Sequence, residues 1–262
     1  MGTVSDRKFA VITGASSGIG LELAKQCAAN HFDVLVCAED AAIHSVAATI
    51  DARAVAVQAD LSTPEGVEQL AQAIRGTGRG VDALLLNAGV GVGGRFLDTD
   101  LAAELRMIAL NCNHTVHVAK LIVPAMVARG KGCVLVTGSV VSTAPAPYQA
   151  VYGATKAFVM SFAEALRVEL ADTGVTVTAL QPGPTDTSFF ERAHMENTPV
   201  GRADKDDPVE VAERGFEAMV AGKDSVLGGG LKSRLQGLAN ELLPETVKAK
   251  QSAKQAKPDD QT

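Results

Sequence analysis

The 262-residue sequence has no uninterrupted apolar run of the ~18–20 residues that a bilayer-crossing helix needs, so no span is expected and no membrane partner with it. It has no basic excess either: 24 Lys and Arg face 30 Asp and Glu, a net charge of −6. Nucleic-acid and polyanion binders need clustered positive charge, which argues against that class. The four cysteines, Cys27, Cys37, Cys112 and Cys133, show no paired spacing and fall inside expected helices and strands. That pattern argues against a disulfide framework and implies free thiols in a reducing compartment, the cytoplasm. Arg7 and Lys8 precede an apolar stretch as in a signal peptide, but residues 9–20 are too short and too glycine-rich for one. They read better as a strand running into a loop. No internal repeat is visible, and nothing marks a second domain.

What is present is a large apolar content, 47% against 21% charged, enough for one sizeable core. Residues 9–13, 33–37, 53–58, 83–87, 133–137 and 175–181 form apolar runs rich in Val and Leu, as strands buried on both faces do. Helical patterns occupy 19–30, 41–50, 64–75, 99–129 and 150–173. Ser62-Thr63-Pro64 is a cap-then-proline start for the third helix, and Pro124 is expected to kink the fourth. The alternation predicts a single-domain α/β, Rossmann-like doubly wound parallel sheet, with ligands beyond the carboxyl ends of its strands. After Gln181 the pattern loosens, and residues 186–207 are expected to form a lid. Further helices are expected at 208–221 and 231–243, with a short strand at 225–227. The domain is expected to close at residue 243 and to leave 244–262 as a loose tail.

The first strand runs directly into Thr13-Gly14-Ala15-Ser16-Ser17-Gly18-Ile19-Gly20, and a helix follows. Glycines let such a backbone turn sharply and approach a pyrophosphate, while the helix N-terminus supplies N–H donors. The spacing is not GxGxxG, and no Lys-Ser/Thr pair follows as a P-loop requires. A tight β–α turn is the plain alternative for such a loop taken alone.

Tyr152, one of only two tyrosines, lies four residues before Lys156, so both side chains project from one helix face. An ammonium beside a phenol favours the phenolate and is expected to bring the tyrosine pKa of ~10 towards the working pH. A tyrosine so tuned can donate a proton to a carbonyl oxygen as hydride arrives, or accept one in reverse. Thirteen residues upstream, Ser139 follows the fifth strand, where its hydroxyl could hold the substrate oxygen. Each feature alone has an ordinary explanation, an exposed helix pair or a loop cap, but the three together are hard to explain that way.

With these motifs in order, the first 190 residues or so resemble the short-chain dehydrogenase/reductase family. The glycine loop resembles that family's TGxxxGxG. Asp60-Leu61 resembles its adenine-contacting pair, and Leu86-Asn87-Ala88-Gly89 its NNAG with Leu86 in place of the first Asn. Asn111 resembles the helix-four asparagine whose backbone holds a relay water. Ser139, Tyr152 and Lys156 resemble the catalytic set, with Gly138 where a second Ser often stands. Pro182-Gly183-Pro184-Thr185-Asp186-Thr187 resembles the PGxxxT stretch that binds the nicotinamide amide. The segment 147–159 is similar to that of broad bacterial ketone and aldehyde reductases.

The resemblance implies strand order 3-2-1-4-5-6-7 and a Ser139-Tyr152-Lys156-Asn111 catalytic site. It implies a cofactor site of Gly14, Ser16, Ser17, Gly18, Ile19, Gly20, Glu39, Asp60, Leu61, Asn87, Ala88, Gly89, Tyr152, Lys156, Pro182, Gly183, Thr185 and Thr187. Lys156 should also bond the nicotinamide ribose. A small carbonyl or alcohol substrate and a homodimer or homotetramer built on helices four and five follow from the same likeness. The rival reading is a non-catalytic dinucleotide-sensing regulator, against which the intact four-residue set argues.

Cofactor choice rests on Ala38-Glu39-Asp40 at the end of the second strand. Glu39 and Asp40 would repel a 2′-phosphate with no cation nearby to offset them, and a carboxylate can accept hydrogen bonds from ribose hydroxyls. NAD(H) is therefore favoured, with NADP(H) still open if Glu39 turns to solvent. His114 and His117 with Cys112 lack the further ligands a metal would need, so no metal is expected. Phe189 and Phe190 fit either a lid over substrate or plain packing.

Overall fold

The computed structural model describes residues 7–229 and 245–259. In chain order the elements are β1 (Lys8–Thr13), α1 (Gly18–Ala29), β2 (Phe32–Ala38), α2 (Ile43–Ile50), β3 (Val55–Gln58) and α3 (Pro64–Gly76). They continue with β4 (Ala83–Leu86), α4 (Leu101–Ile108), α5 (His114–Arg129), β5 (Gly132–Thr137), α6 (Ala150–Glu169) and β6 (Val175–Pro182). The last are α7 (Phe189–Arg192), α8 (Pro199–Arg202), α9 (Pro208–Val220), β7 (Ser225–Gly228) and α10 (Glu245–Ala256).

All seven strands pair in parallel in the order β3-β2-β1-β4-β5-β6-β7, the expected one. Because side chains alternate across a strand, the apolar runs divide between two cores. Val11, Leu35, Leu84, Val134 and Val136 pack on one face with Leu70, Val118, Met126 and Val159. Ala10, Ile12, Val36, Leu85 and Leu135 pack on the other with Leu23, Ile43, Val211 and Phe216. Helix starts follow local chemistry: the Thr63 hydroxyl accepts Gly66 N–H (3.1 Å) before Pro64, and Asp100 and Asp207 cap α4 and α9 in the same way.

Four expectations need correction. The expected helix over 99–129 is two helices, because residues 109–113 form a π-helical turn between α4 and α5. The extra residue brings Asn111 into the core, where its Oδ1 accepts Val90 N–H and its Nδ2 donates to Val90 O (3.0 Å each) and Thr155 Oγ1 (2.9 Å). The third strand starts at Val55 instead of 53, since Asp51 turns the chain by accepting the N–H groups of Arg53 and Ala54. The stretch from Pro244 is not a loose tail throughout: it contains α10, whose Ala256 is buried against Phe190, Ala193 and Met195. The helix expected over 231–243 lies outside the described residues. Residues 186–207, expected to be irregular, carry the one-turn helices α7 and α8.

Glycine is required where the first loop folds back on the sheet. A Cβ on Gly20 would land on the Gly14 carbonyl oxygen, which is backbone and cannot move aside. At Gly76, by contrast, nothing lies within 4 Å. Gly20→Ala should therefore lose about 1–3 kcal/mol, the cost of overpacking, while Gly76→Ala should be neutral or gain up to ~1 kcal/mol. Urea unfolding of the two variants checks both signs.

Candidate active site

The sheet reverses direction of winding between β1 and β4, and a cleft of about 340 Å³ opens at the carboxyl ends of the strands there. Its floor is tied by two side chains. The Thr13 hydroxyl accepts the N–H groups of Asn87 and Ala88 (3.1 Å each). Asn87 Nδ2 reaches back to the carbonyls of Thr13 and Gly14 (3.2 Å each), and its Oδ1 accepts the Thr137 hydroxyl (3.0 Å) from β5. Gly14 has φ +69°, and a Cβ there would lie 2.6 Å from Ala88 Cα. The glycine loop and the 87–89 turn thus approach each other at contact distance.

Gly14, Ser16, Ser17, Gly18, Ile19, Gly20, Asn87, Ala88 and Gly89 all line this cleft, as do Glu39, Asp60, Leu61, Pro182, Gly183, Thr185 and Thr187. Tyr152 and Lys156 line it from α6. Ser139 and Asn111 do not line it, although both are buried beside residues that do. The Ser139 hydroxyl lies beside the Tyr152 phenol and accepts Val141 N–H (3.3 Å). A Cβ on Gly89 would stand 3.1 Å from Asn111 Oδ1 and 3.4 Å from Lys156 Nζ, which places those three groups together. Sequence reasoning missed Val90, Leu110, Thr137 and Arg192 in the lining, since none belongs to a motif. Phe189 and Phe190 line the cleft as well, and Phe189 packs on the Tyr152 ring (centroids 5.3 Å).

The phenol is not lowered towards neutrality as expected. Burial pushes Tyr152 up to about 12, and the Ser139 hydroxyl offsets only part of that rise. Lys156 does not deliver the expected effect because its ammonium is itself desolvated and drawn down to about 8. Its Nζ lies 5.9 Å from the tyrosine ring centroid and donates to Thr137 O (2.9 Å).

The other end of the cleft also differs from expectation. Glu39 does have a cation beside it: Arg106, from α4, bonds Glu39 Oε2 (2.6 Å), Asp60 Oδ2 (2.8 Å) and the Ser62 hydroxyl (2.8 Å). The Asp60 carboxyl is held below its ordinary value, since the bonds from Arg106 and Ser62 outweigh its partial burial. Arg106 stands 67 positions from Glu39, so nothing local in the sequence signalled the contact.

A family model described as short chain dehydrogenase matches residues 8–197. The chain belongs to the short-chain dehydrogenase/reductase family. This dehydrogenase/reductase is 32% identical over 185 residues to an uncharacterized oxidoreductase of Staphylococcus epidermidis, covering 70% of this chain and 80% of that one. It is 34% identical over 179 residues to a very-long-chain 3-oxoacyl-CoA reductase of Podospora anserina, covering 64% and 52%. Among solved structures, it matches a Sphingobium yanoikuyae short-chain dehydrogenase in complex with NADPH at 28% identity, TM-score 0.79, covering 89% and 92%. It also matches a Brucella melitensis 3-ketoacyl-(acyl-carrier-protein) reductase complexed with NADH at 29% identity, TM-score 0.73, covering 85% and 97%. The protein is an NAD(P)-dependent dehydrogenase/reductase.

The donor set fits a dinucleotide. Helix α1 starts without a side-chain cap on Ser17 and with no acid in its first turn, so its first N–H groups are available to phosphate oxygens. Lys156 has three donors and a single protein acceptor, which leaves two N–H groups beside the cleft for ribose hydroxyls. No group of three or more His, Cys, Asp or Glu suited to a metal occurs among the described residues.

Burying Lys156 carries a stability cost whose sign follows from its lowered pKa. Below about pH 8 the amine is charged in both folded and unfolded chains, and the full cost of burying it is present. The cost fades as pH rises from about 8 towards the unfolded value near 10.5. Lys156→Met should therefore raise the stability of the cofactor-free protein at pH 7 by about 1–3 kcal/mol, with the gain shrinking above pH 8. Denaturant unfolding at pH 7 and pH 10 measures it.

Proposed function

We propose that this cleft transfers a hydride between nicotinamide and a carbonyl or secondary-alcohol carbon, with Tyr152 as the proton donor or acceptor. The observation that carries the reading is the meeting of Ser139, Tyr152 and Lys156 in one buried corner that opens onto the glycine loop. A bound nicotinamide supplies the hydride in the reducing direction and accepts it in the oxidising one. A phenol held up at about 12 stays protonated at neutral pH and is ready to donate to a carbonyl oxygen. Ser139 holds that oxygen by a hydrogen bond. Lys156 bonds the nicotinamide ribose and places positive charge near the phenolate that remains after proton transfer. Asn111, fixed by Val90 and Thr155, shapes the backbone that carries a relay water.

Residues 186–207 act as the lid. Phe189 covers the phenol, so the substrate's flank nearest the carbonyl meets an apolar wall. The exposed Phe96, Leu97, Leu101, Leu105, Val116 and Leu121, on and before α4 and α5, support a homo-oligomer formed on these helices.

Tyr152→Phe removes the proton and leaves the ring packing on Phe189. Turnover should fall at least ~10²-fold, the scale of a lost general acid, while the dissociation constant for reduced cofactor stays within a few-fold. Retained turnover on a ketone that the wild type reduces would end the assignment.

For the cofactor, NAD(H) remains the favoured reading, now on a different balance of charge. The adenosine end of the cleft is lined by Glu39, Asp40 and Asp60, and Arg106, the cation paired with them among the described residues, is already bound to two of them. A 2′-phosphate would still meet a net negative wall. NADH should exceed NADPH by at least ~10-fold in kcat/KM, equal to ~1.4 kcal/mol, and Glu39→Arg should narrow or reverse the ratio. Steady-state rates with both reduced cofactors on one substrate decide it.

A further inference from the structure

Arg106 is a side chain that neither the glycine loop nor the Tyr-Lys corner accounts for, and it touches two of the three acids at the adenosine end of the cleft, Glu39 and Asp60. It lies near the end of α4, is 43% exposed, and is not itself among the residues lining the cleft. Its two contacts are unequal. Asp60 is the firm one: its Oδ2 takes Nη1 (2.8 Å), its Oδ1 lies 3.4 Å from Nη2, and Oδ1 is fixed in turn by the Ser62 N–H (2.9 Å) and hydroxyl (2.7 Å). Glu39 is the loose one: a single bond to Nη2 (2.6 Å) on a carboxylate side chain that is 63% exposed. An exposed pair of that kind is worth little by itself. Its consequence lies in geometry, because one guanidinium has a fixed fork of donors and whatever occupies Nη2 denies it to another anion.

We propose that Arg106 sets cofactor choice through Glu39. Anchored on Asp60, its guanidinium holds the Glu39 carboxylate at the adenosine ribose. The same bond occupies an Nη2 N–H that a 2′-phosphate would need. Arg106 is thus a positioning residue for Glu39 and, once Glu39 is removed, a phosphate ligand. Glu39 excludes NADP(H) chiefly by engaging this cation and only secondarily by its own charge. The inference rests on the proposal that Glu39 faces the cofactor ribose.

The test is a double-mutant cycle read by binding: calorimetric dissociation constants for NADH, NADPH, 5′-AMP and 2′,5′-ADP with wild type, Glu39→Ala, Arg106→Ala and the double variant. The two nucleotide fragments isolate the adenosine end from the catalytic corner. Glu39→Ala should strengthen 2′,5′-ADP and NADPH by ~10-fold or more, and adding Arg106→Ala should abolish that gain, a coupling of the size seen for contacting residues. Arg106→Ala alone should weaken NADH by ~2–10-fold, the scale of leaving one carboxylate side chain unfixed, and should add nothing once Glu39 is absent. If the gain in NADPH survives in the double variant, Arg106 is not the phosphate ligand. If Arg106→Ala alone weakens 2′,5′-ADP without affecting 5′-AMP, the cation is already free in the wild type; either result overturns the proposal. A wild-type preference for NADPH defeats the NAD(H) reading instead, and the cycle reports separately on Arg106. Glu39→Gln and Arg106→Lys, checked by thermal melting, repeat the cycle should either alanine variant fail to fold.

Discussion

The site depends on how two neighbouring strand ends are joined where the sheet changes its direction of winding. At that seam β1 and β4 lie side by side while their following chains leave towards opposite faces, which frees backbone groups and opens a gap. Thr13 and Asn87 satisfy those groups with side-chain bonds, and Asn87 extends the tie to β5 through Thr137. Thr137 then presents its own carbonyl to Lys156. One network therefore runs from the glycine loop to the Lys156 amine, and a change of even a methyl group at Gly14 or Gly20 would strike it.

Burial is the dominant electrostatic influence at this corner. It raises the phenol to about 12 and lowers the amine to about 8, so at neutral pH the phenol is neutral while the amine keeps its proton at a reduced margin. The buried ammonium donates its bond to the Thr137 carbonyl. The arrangement sits in a region that a protein built for stability alone would fill with apolar side chains. The Ser139 hydroxyl pulls the phenol part of the way back down.

The architecture was legible because its signal is local. Runs such as 83–87 and 133–137 are apolar on both faces, and only a covered parallel strand needs that composition. The glycine loop and the Tyr152–Lys156 spacing are equally short-range. Three features were not legible, each for its own physical reason. The π turn at 109–113 adds a single residue to an otherwise continuous helical pattern, so its period gave no warning. Helix α10 is polar along most of its length and is anchored by Ala256, which carries too little hydrophobicity to mark a buried face. Arg106 reaches Glu39 and Asp60 across 67 and 46 positions, and contacts of that range leave no trace in spacing. The direction of the tyrosine shift failed for a related reason: pairing was visible in the sequence, burial was not.

These non-local features lie at the two ends of the cleft, on either side of the seam. At the Tyr152 end, Ala256 of α10 packs with Phe190, Ala193 and Met195, Phe190 meets Phe189 edge-on (5.5 Å), and Phe189 packs on Tyr152. Arg202 adds an ion pair to Asp259 (2.6 Å) beyond that helix. The C-terminal segment thus braces the roof over the phenol, although it lies outside the matched family region of residues 8–197. At the Glu39 end, Arg106 braces Glu39 and Asp60 from a helix that does not itself line the cleft. Both braces hold lining groups from outside the cleft, one by apolar packing and one by ion pairs, and neither shares a bond with the Thr13–Asn87–Thr137 tie of the seam.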